Sequence, residues 1–317
     1  MTRHSSSTEP LISRWDKSLL LAAAVMTCLL IVMGGVVCVT GSGGGCPDWP
    51  GCYGRIVPPL QTASIIEFLH RLIAGLSFVL IIGSAIVSWR KYRPIRWVSW
   101  PSMLAAPLVL VVSGFGAAAV LHGLPRGLAA VDLGLALIVM ALVITATVAA
   151  FARRVNPSLA GGVANGHGYV QLIFGTLVAI YLVLVSGILV AGEGSLTRCV
   201  GWPMWRALTV DLPGWPQIVR QLLAALASLL ILATVVQTWR IQPRHKGILA
   251  VATAVGLLFL VEMALGVLML QIDVTIFMLV VYVVTAAALW AMIVVLAVLA
   301  GLPTAASENS KVVEPAN

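Results

Sequence analysis

The sequence predicts an all-α integral membrane protein, with eight transmembrane helices arranged as two duplicated four-helix bundles. Three observations predict this class. Of 317 residues, 60% are hydrophobic and only 9% are charged, a balance well outside that of soluble domains of this length. Eight apolar stretches are each long enough to cross a hydrocarbon core about 30 Å thick. The last four repeat, in order, features of the first four. Helices are the only reading, because lipid cannot satisfy an open strand edge and no short alternating barrel segments occur.

Residues 1–17 form a basic N-terminal segment. The first span, 18–40, is too long for the apolar core of a signal peptide and reads as a retained helix. It contains Cys28 and Cys38, expected to behave as small buried hydrophobes. It runs into a glycine-rich turn, TGSGGGCPDWPGCYG, that holds Cys46 and Cys52. The second span, 63–88, opens with EFLHR and so places Glu67, His70 and Arg71 near its start. The third, 101–121, ends at LHGLPRGL with His122, and the fourth, 128–151, carries Asp132. The fifth, 168–190, leads to CVGWPMW, which begins at Cys199. The sixth (216–238), seventh (247–270) and eighth (275–299) carry Arg220, Glu262 and Tyr282 respectively. The halves are 18–154 and 155–300, and the polar tail, 301–317, is expected to be disordered.

Basic residues set the orientation. Arg3, Arg14, Lys17, Arg90, Lys91, Arg93, Arg96, Arg153, Arg154, Arg240, Arg244, Lys246 and Lys311 fall on one side, 13 of the 19 Lys and Arg. Arg55, Arg126, Arg198 and Arg206 fall in the opposite loops, and Arg71 and Arg220 lie inside helices. The positive-inside rule then predicts both termini in the cytoplasm, the cysteine loops outside, and a plasma membrane or equivalent inner membrane. The net charge of +8 is a topology signal, and it gives no support to nucleic-acid binding.

The duplication is visible residue by residue. IVMGGVVCVTGSGGGCPDWPGC (31–52) resembles LVSGILVAGEGSLTRCVGWPMW (184–205), and LHRLIAGLS (69–77) resembles the start of IVRQLLAALAS (218–228). Four spans return the chain to its starting side, so the halves are related by an axis along the membrane normal. Glu67 and His70 then correspond to Pro216 and Val219, Arg71 to Arg220, Asp132 to Tyr282, Cys46 to Cys199, and Cys52 to Trp205. The first half keeps ionisable groups where the second has mostly lost them.

Glu67 and His70, three residues apart, share one helical face. Charged groups in a membrane helix are costly and usually face a cavity or a partner. Two readings stand for the pair. Either it locks helices together, or His70 is a haem-iron ligand with Glu67 as its hydrogen-bond partner or proton handler. Arg71 is a candidate partner for an acidic ligand group such as a haem propionate, or an arginine snorkelling to the interface; Arg220 is its counterpart. Asp132 is read as a partner of Arg71 or His70, or as the lining of a polar cavity. Tyr282 is read as a core or interfacial residue or, less simply, as a phenolate ligand. Glu262 should face the bundle, with no partner readable. His122 reads as a loop residue. On the oxidising side Cys46 and Cys52 form either a disulfide that staples the loop or a thiol relay, and Cys199 lacks the second cysteine of its cassette.

With GGVVCVTGSGGGCPDWPGC, the following EFLHR, the weaker second cassette and the LP turn before the fourth helix in place, the sequence resembles the heme A synthase family over all eight helices. The resemblance implies two four-helix halves, each with a histidine pair on its second and fourth helices facing a haem near the outer membrane side. The second half would hold a haem b cofactor. The first would accept haem O, whose ring methyl is oxidised to the formyl of haem A, with the glutamate of the ExxH motif as the important catalytic carboxylate. Haem O synthase, oxidase subunits and an electron donor are the partners so implied. Only His70 occupies one of the four histidine positions here; the others hold Asp132, Val219 and Tyr282, while Glu67, Cys46 and Cys52 match. Two functions follow. One is a divergent heme A synthase that uses His70 as sole protein ligand, Glu67 as acid and base, and a partner in place of the missing cofactor. The other is a non-catalytic relative that binds or carries haem or supports oxidase assembly.

Overall fold

The computed structural model describes residues 11–123, 125–155, 167–190, 199, 214–243 and 245–302. The N-terminal segment with Arg3 and His4, the second cassette apart from Cys199, and the tail after Pro303 lie outside the described residues. Eight helices are present: α1 (Arg14–Val39), α2 (Thr62–Lys91), α3 (Arg96–His122), α4 (Arg126–Val155), α5 (His167–Val190), α6 (Trp215–Ile241), α7 (Lys246–Gln271) and α8 (Ile276–Gly301). Each is long and apolar enough to cross a membrane.

The helices overlie the eight apolar stretches but run past them. α2 continues through Trp89, Arg90 and Lys91, and α3 begins at Arg96, five residues before the apolar run. Hydropathy falls where the chain leaves lipid, whereas helical hydrogen bonding continues until a cap or a break intervenes. Basic groups in the last turn of α2 also complement its dipole. Ser13 caps α1 by accepting from the Asp16 amide, Thr275 caps α8 by accepting from Met278, and α6 starts on a Trp-Pro step in its first turn.

Packing closes two rings. α1, α2, α3 and α4 touch in sequence and α4 returns to α1; α5, α6, α7 and α8 do the same. The rings meet where α8 packs against α1 and α4, and α4 against α5. α4 and α8 are consequently the most buried helices, and both carry a residue singled out in the sequence, Asp132 and Tyr282. α2 and α4 face each other across the first ring.

With lipid on the outside there is little hydrophobic drive for one helix to bind another, so close approach and polar contacts matter. Gly35 of α1 lies so near α8 that a Cβ would collide with Val283, and a Cβ on Gly134 of α4 would stand 2.5 Å from Tyr181 Oη on α5. Trp290 Nε1 of α8 donates to the Leu137 carbonyl of α4 at 3.2 Å. Within the rings, Thr147 Oγ1 donates to Leu20 O across α4 and α1 at 2.9 Å, and Thr176 bonds Thr234 across α5 and α6 at 2.8 Å. At the α1 start, Asp16 accepts from Tyr92 Oη at 2.6 Å and from Lys91 Nζ at 3.1 Å, which ties α1 to the far end of α2.

Replacing Gly35 with leucine should lower stability by about 1–3 kcal/mol through overpacking against α8. Leucine at Gly114, which has open space around it, should leave stability nearly unchanged. Thermal unfolding of the two purified variants in the same detergent checks the contrast.

Candidate functional site

The site is built at the end where α1 runs into α2. Thr40 closes α1: its hydroxyl donates to the Val36 carbonyl at 2.7 Å and bonds Ser42 Oγ at 2.7 Å. Gly41 follows with φ +64°, a left-handed conformation that glycine adopts without strain, and a 3-10 turn spans Ser42–Gly44. Gly45 then passes against the start of α2, where a Cβ would meet the Ala63 carbonyl oxygen at 2.5 Å. That contact leaves room for no other residue, and it delivers the Gly45 carbonyl to Ser64 Oγ at 2.7 Å.

Cys46 and Cys52 are joined in a disulfide, and both are buried. The loop beyond turns back on itself. Cys52 and Arg55 exchange backbone hydrogen bonds at 3.1 and 3.2 Å, with Tyr53 (φ 54°) and Gly54 (φ 67°) at the corners, a reversal with two positive φ values. Asp48 fastens that turn by accepting from the amides of Gly54 and, at 2.6 Å, Tyr53. These bonds, the Gly54 one foremost, hold its carboxyl below the ordinary aspartate value of 3.8.

Beneath the loop lie Glu67 and Arg71, one turn apart on α2. Arg71 donates to Glu67 Oε1 at 2.5 Å and to three loop carbonyls: Asp48 at 2.5 Å, Gly51 at 2.6 Å and Cys46 at 2.8 Å. Glu67, 4% exposed, uses its other oxygen to accept from the Cys46 amide at 3.1 Å. The pair therefore grips the disulfide loop from below. The donors of Arg71 go to the loop and to Glu67, and it makes no ion pair with Asp132 among the described residues.

His70 points elsewhere. One residue along a helix is a rotation of about 100°, so His70 cannot share the direction of Arg71. It leans on α1 at Gly34, where a Cβ would stand 3.5 Å from its Cε1, and its Nδ1 is buried without a hydrogen-bond partner. Across the ring on α4, Asp132 Oδ1 is likewise buried without a partner. His122 is exposed at the end of α3.

The equivalent region of the second ring is different. Val219 is 54% exposed, and Tyr282 is fully buried with an unpartnered hydroxyl. Glu262 is fully buried and accepts from Thr285 Oγ1 at 3.0 Å, the partner that sequence could not supply, while its Oε2 has none. Tyr282 lies within electrostatic range of Glu262 and Arg220.

Two sequence expectations are corrected. Cys38 is exposed rather than a buried hydrophobe, and Cys199 has a partner: the two form a disulfide across a sequence separation of 161. The signal was available. Once Cys46 pairs with Cys52, two cysteines remain at the same end of the bundle, and leftover cysteines in an oxidising setting call for a partner. Cys28 is the free thiol.

Comparison with known proteins matches residues 17–65 and 60–294 to COX15-CtaA, described as cytochrome oxidase assembly protein. The chain belongs to the COX15-CtaA family. Among its relatives, a protein named heme A synthase from Bacillus licheniformis is 30% identical over 241 residues, 73% of this chain and 78% of the relative. One of the same name from Geobacillus kaustophilus is 29% identical over 254 residues, 78% and 80% of the two chains. A third, from Bacillus cereus, is 32% identical over 211 residues, 64% and 67%.

For a COX15-CtaA chain, the two rings differ in what they could hold. No group of three or more His, Cys, Asp or Glu gathers among the described residues, but a porphyrin supplies four nitrogens of its own and asks the protein for axial ligands only. His70 and Asp132, with orphaned polar atoms on facing helices, fit such a guest in the first ring. The second ring does not fit a bis-histidine haem at the corresponding end, because its histidines, His167 and His245, stand at the starts of α5 and α7, away from Arg220 and Tyr282.

Arg71→Ala should cost about 3–5 kcal/mol, because it strands a buried carboxylate, and Glu67→Gln in the same chain should recover only part of that loss, the three loop carbonyls staying unanswered; thermal unfolding of the single and double variants measures both. The pH dependence of the loop has a fixed sign. Asp48 has a lowered folded pKa, so its contribution is full above 3.8 and is lost as pH falls through the folded value. The gap in melting temperature between wild type and Asp48→Asn should therefore close in that acid range and stay constant near neutrality.

Proposed function

We propose that this chain works in haem A biosynthesis for cytochrome oxidase assembly, oxidising a ring methyl of haem O to a formyl group. The observation that carries the reading is Glu67 held beneath the closed cysteine loop, with His70 one turn along α2 turned toward α1 and its Nδ1 left without a partner, in a chain whose family match runs from residue 17 to residue 294. Relatives named heme A synthase support the substrate class.

In this reading the two rings are the halves of one duplication, with both termini cytoplasmic and the cysteine loops outside the plasma membrane. The first ring takes the substrate. His70 holds its iron from α2, and Asp132 faces it from α4. Glu67, whose two oxygens both accept hydrogen bonds in the closed loop, takes up protons as the methyl group is oxidised. The disulfide loop and Arg71 cover this end and keep bulk water from the reacting edge. Cys46 and Cys52 serve as a staple.

Turning a methyl into a formyl with oxygen taken from a water molecule releases electrons and protons. The second ring lacks the ligands of a haem b, so no step passes through it. An electron acceptor outside this chain takes the electrons, and a haem O synthase supplies the substrate.

Co-expression with a haem O supply, followed by extraction and chromatography of the pigments, tests the reading. Wild type should accumulate haem A. Glu67→Gln should lower conversion on the order of a hundredfold, within the range of general acid–base effects, while leaving haem bound. His70→Ala should purify without haem. Wild type should also carry no more than one haem per chain by pigment assay. Two haems with a low-spin bis-histidine spectrum would overturn the account of the second ring, and haem O persisting unchanged in wild type would overturn the activity.

A further inference from the structure

The turn between α2 and α3, at the end of the bundle opposite the cysteine loop, contains a hollow of about 560 Å³ lined by Trp89, Arg93, Pro94, Arg96, Trp100 and Met103, with Ser99 beside them. It has the chemistry of two solvents. Arg93 and Arg96 are exposed and form neither an ion pair nor a side-chain hydrogen bond among the described residues, and neither has an interaction beyond those described. Trp89 and Trp100, 45% and 58% exposed, and the half-buried Met103 supply apolar walls at the same place.

The Arg93 guanidinium sits 4.0 Å over the Trp89 ring. Stacking occupies the face of the guanidinium and leaves its in-plane N–H donors open, the arrangement that suits a phosphate. Arg90 and Lys91 add positive charge nearby. Among the described residues the carboxylate that reaches this turn, Asp16, is already engaged with Lys91, Tyr92 and Ser13, and it does not line the hollow.

A soluble anion would use the arginines and leave the tryptophans and Met103 without a purpose. A neutral lipid would do the reverse. We propose that this hollow binds an anionic phospholipid of the leaflet at the α2–α3 turn, with the phosphate on Arg93 and Arg96 and the upper acyl region against Trp89, Trp100 and Met103. Tryptophan is favoured at the headgroup level, and basic residues at a membrane surface draw anionic lipid. Because α2 also carries Glu67, His70 and Arg71, an occupied hollow holds the far end of the same helix that presents the candidate site.

The test uses the full chain, purified and delipidated in a nonionic detergent, and reads melting temperature and bound lipid by native mass spectrometry. Phosphatidylglycerol should raise the melting temperature by several degrees at concentrations where phosphatidylcholine does not, with one phosphatidylglycerol retained per chain. Arg93→Gln with Arg96→Gln should weaken that retention about tenfold or more, from the loss of two surface charges. Arg93→Lys with Arg96→Lys, which keeps the charge, should preserve most of it, and Arg240→Gln with Lys246→Gln, at a different turn, should preserve all of it. Equal stabilisation by phosphatidylcholine, an undiminished response in the glutamine variant, or the same shift from glycerol phosphate alone would each overturn the proposal.

Discussion

Everything at the candidate end of the protein depends on one guanidinium. The segment from Cys46 to Cys52 is too short to form helix or strand, and closing it with a disulfide turns three of its carbonyls toward α2. Arg71 answers all three at once and meets the charge of Glu67 in the same grip. The spacing on α2 makes this workable. Residues 67 and 71 stack on one face, whereas residue 70 is turned away toward Gly34 of α1. A single turn of helix thus separates holding the loop from presenting an imidazole.

The two rings share a packing plan and differ in what they enclose. In the first, buried donor and acceptor atoms of His70 and Asp132 are left open on facing helices, a costly state in apolar surroundings unless a guest completes it. In the second, Thr285 donates to Glu262, Tyr282 is fully buried, and Val219 is exposed. Polar burial persists in the second ring, where the Tyr282 hydroxyl and Glu262 Oε2 are also left without partners, but no imidazole stands beside them among the described residues.

Much of this was legible in the sequence, for physical reasons. Membrane spans announce themselves through length and hydropathy alone, and all eight helices lie on the stretches so read. Helix ends were less legible, because Trp89 to Lys91 and Arg96 to Trp100 are helical and yet leave the apolar pattern. Glu67 and His70 stood out because charge in lipid is expensive. The Glu67–Arg71 pair was legible in its spacing of four, whereas what the two touch beyond each other was not, since those partners are backbone groups, which carry no sequence signature. Asp16 bonds to Tyr92 and Lys91 across more than seventy positions, which only the packing of α1 on α2 reveals. The partnership of Cys38 and Cys199 was hidden by the repeat itself: comparing the cassettes suggested a missing neighbour when the neighbour lay on α1.

That long-range disulfide also orders events in time. Cys46 can find Cys52 as soon as the link between α1 and α2 has emerged, within a few residues of chain. Cys38 has no partner until five helices have been threaded and the link after α5 arrives. During synthesis, therefore, one bond records local closure and the other records that the second ring has come home to the first. A chain carrying the former without the latter is an unfinished molecule.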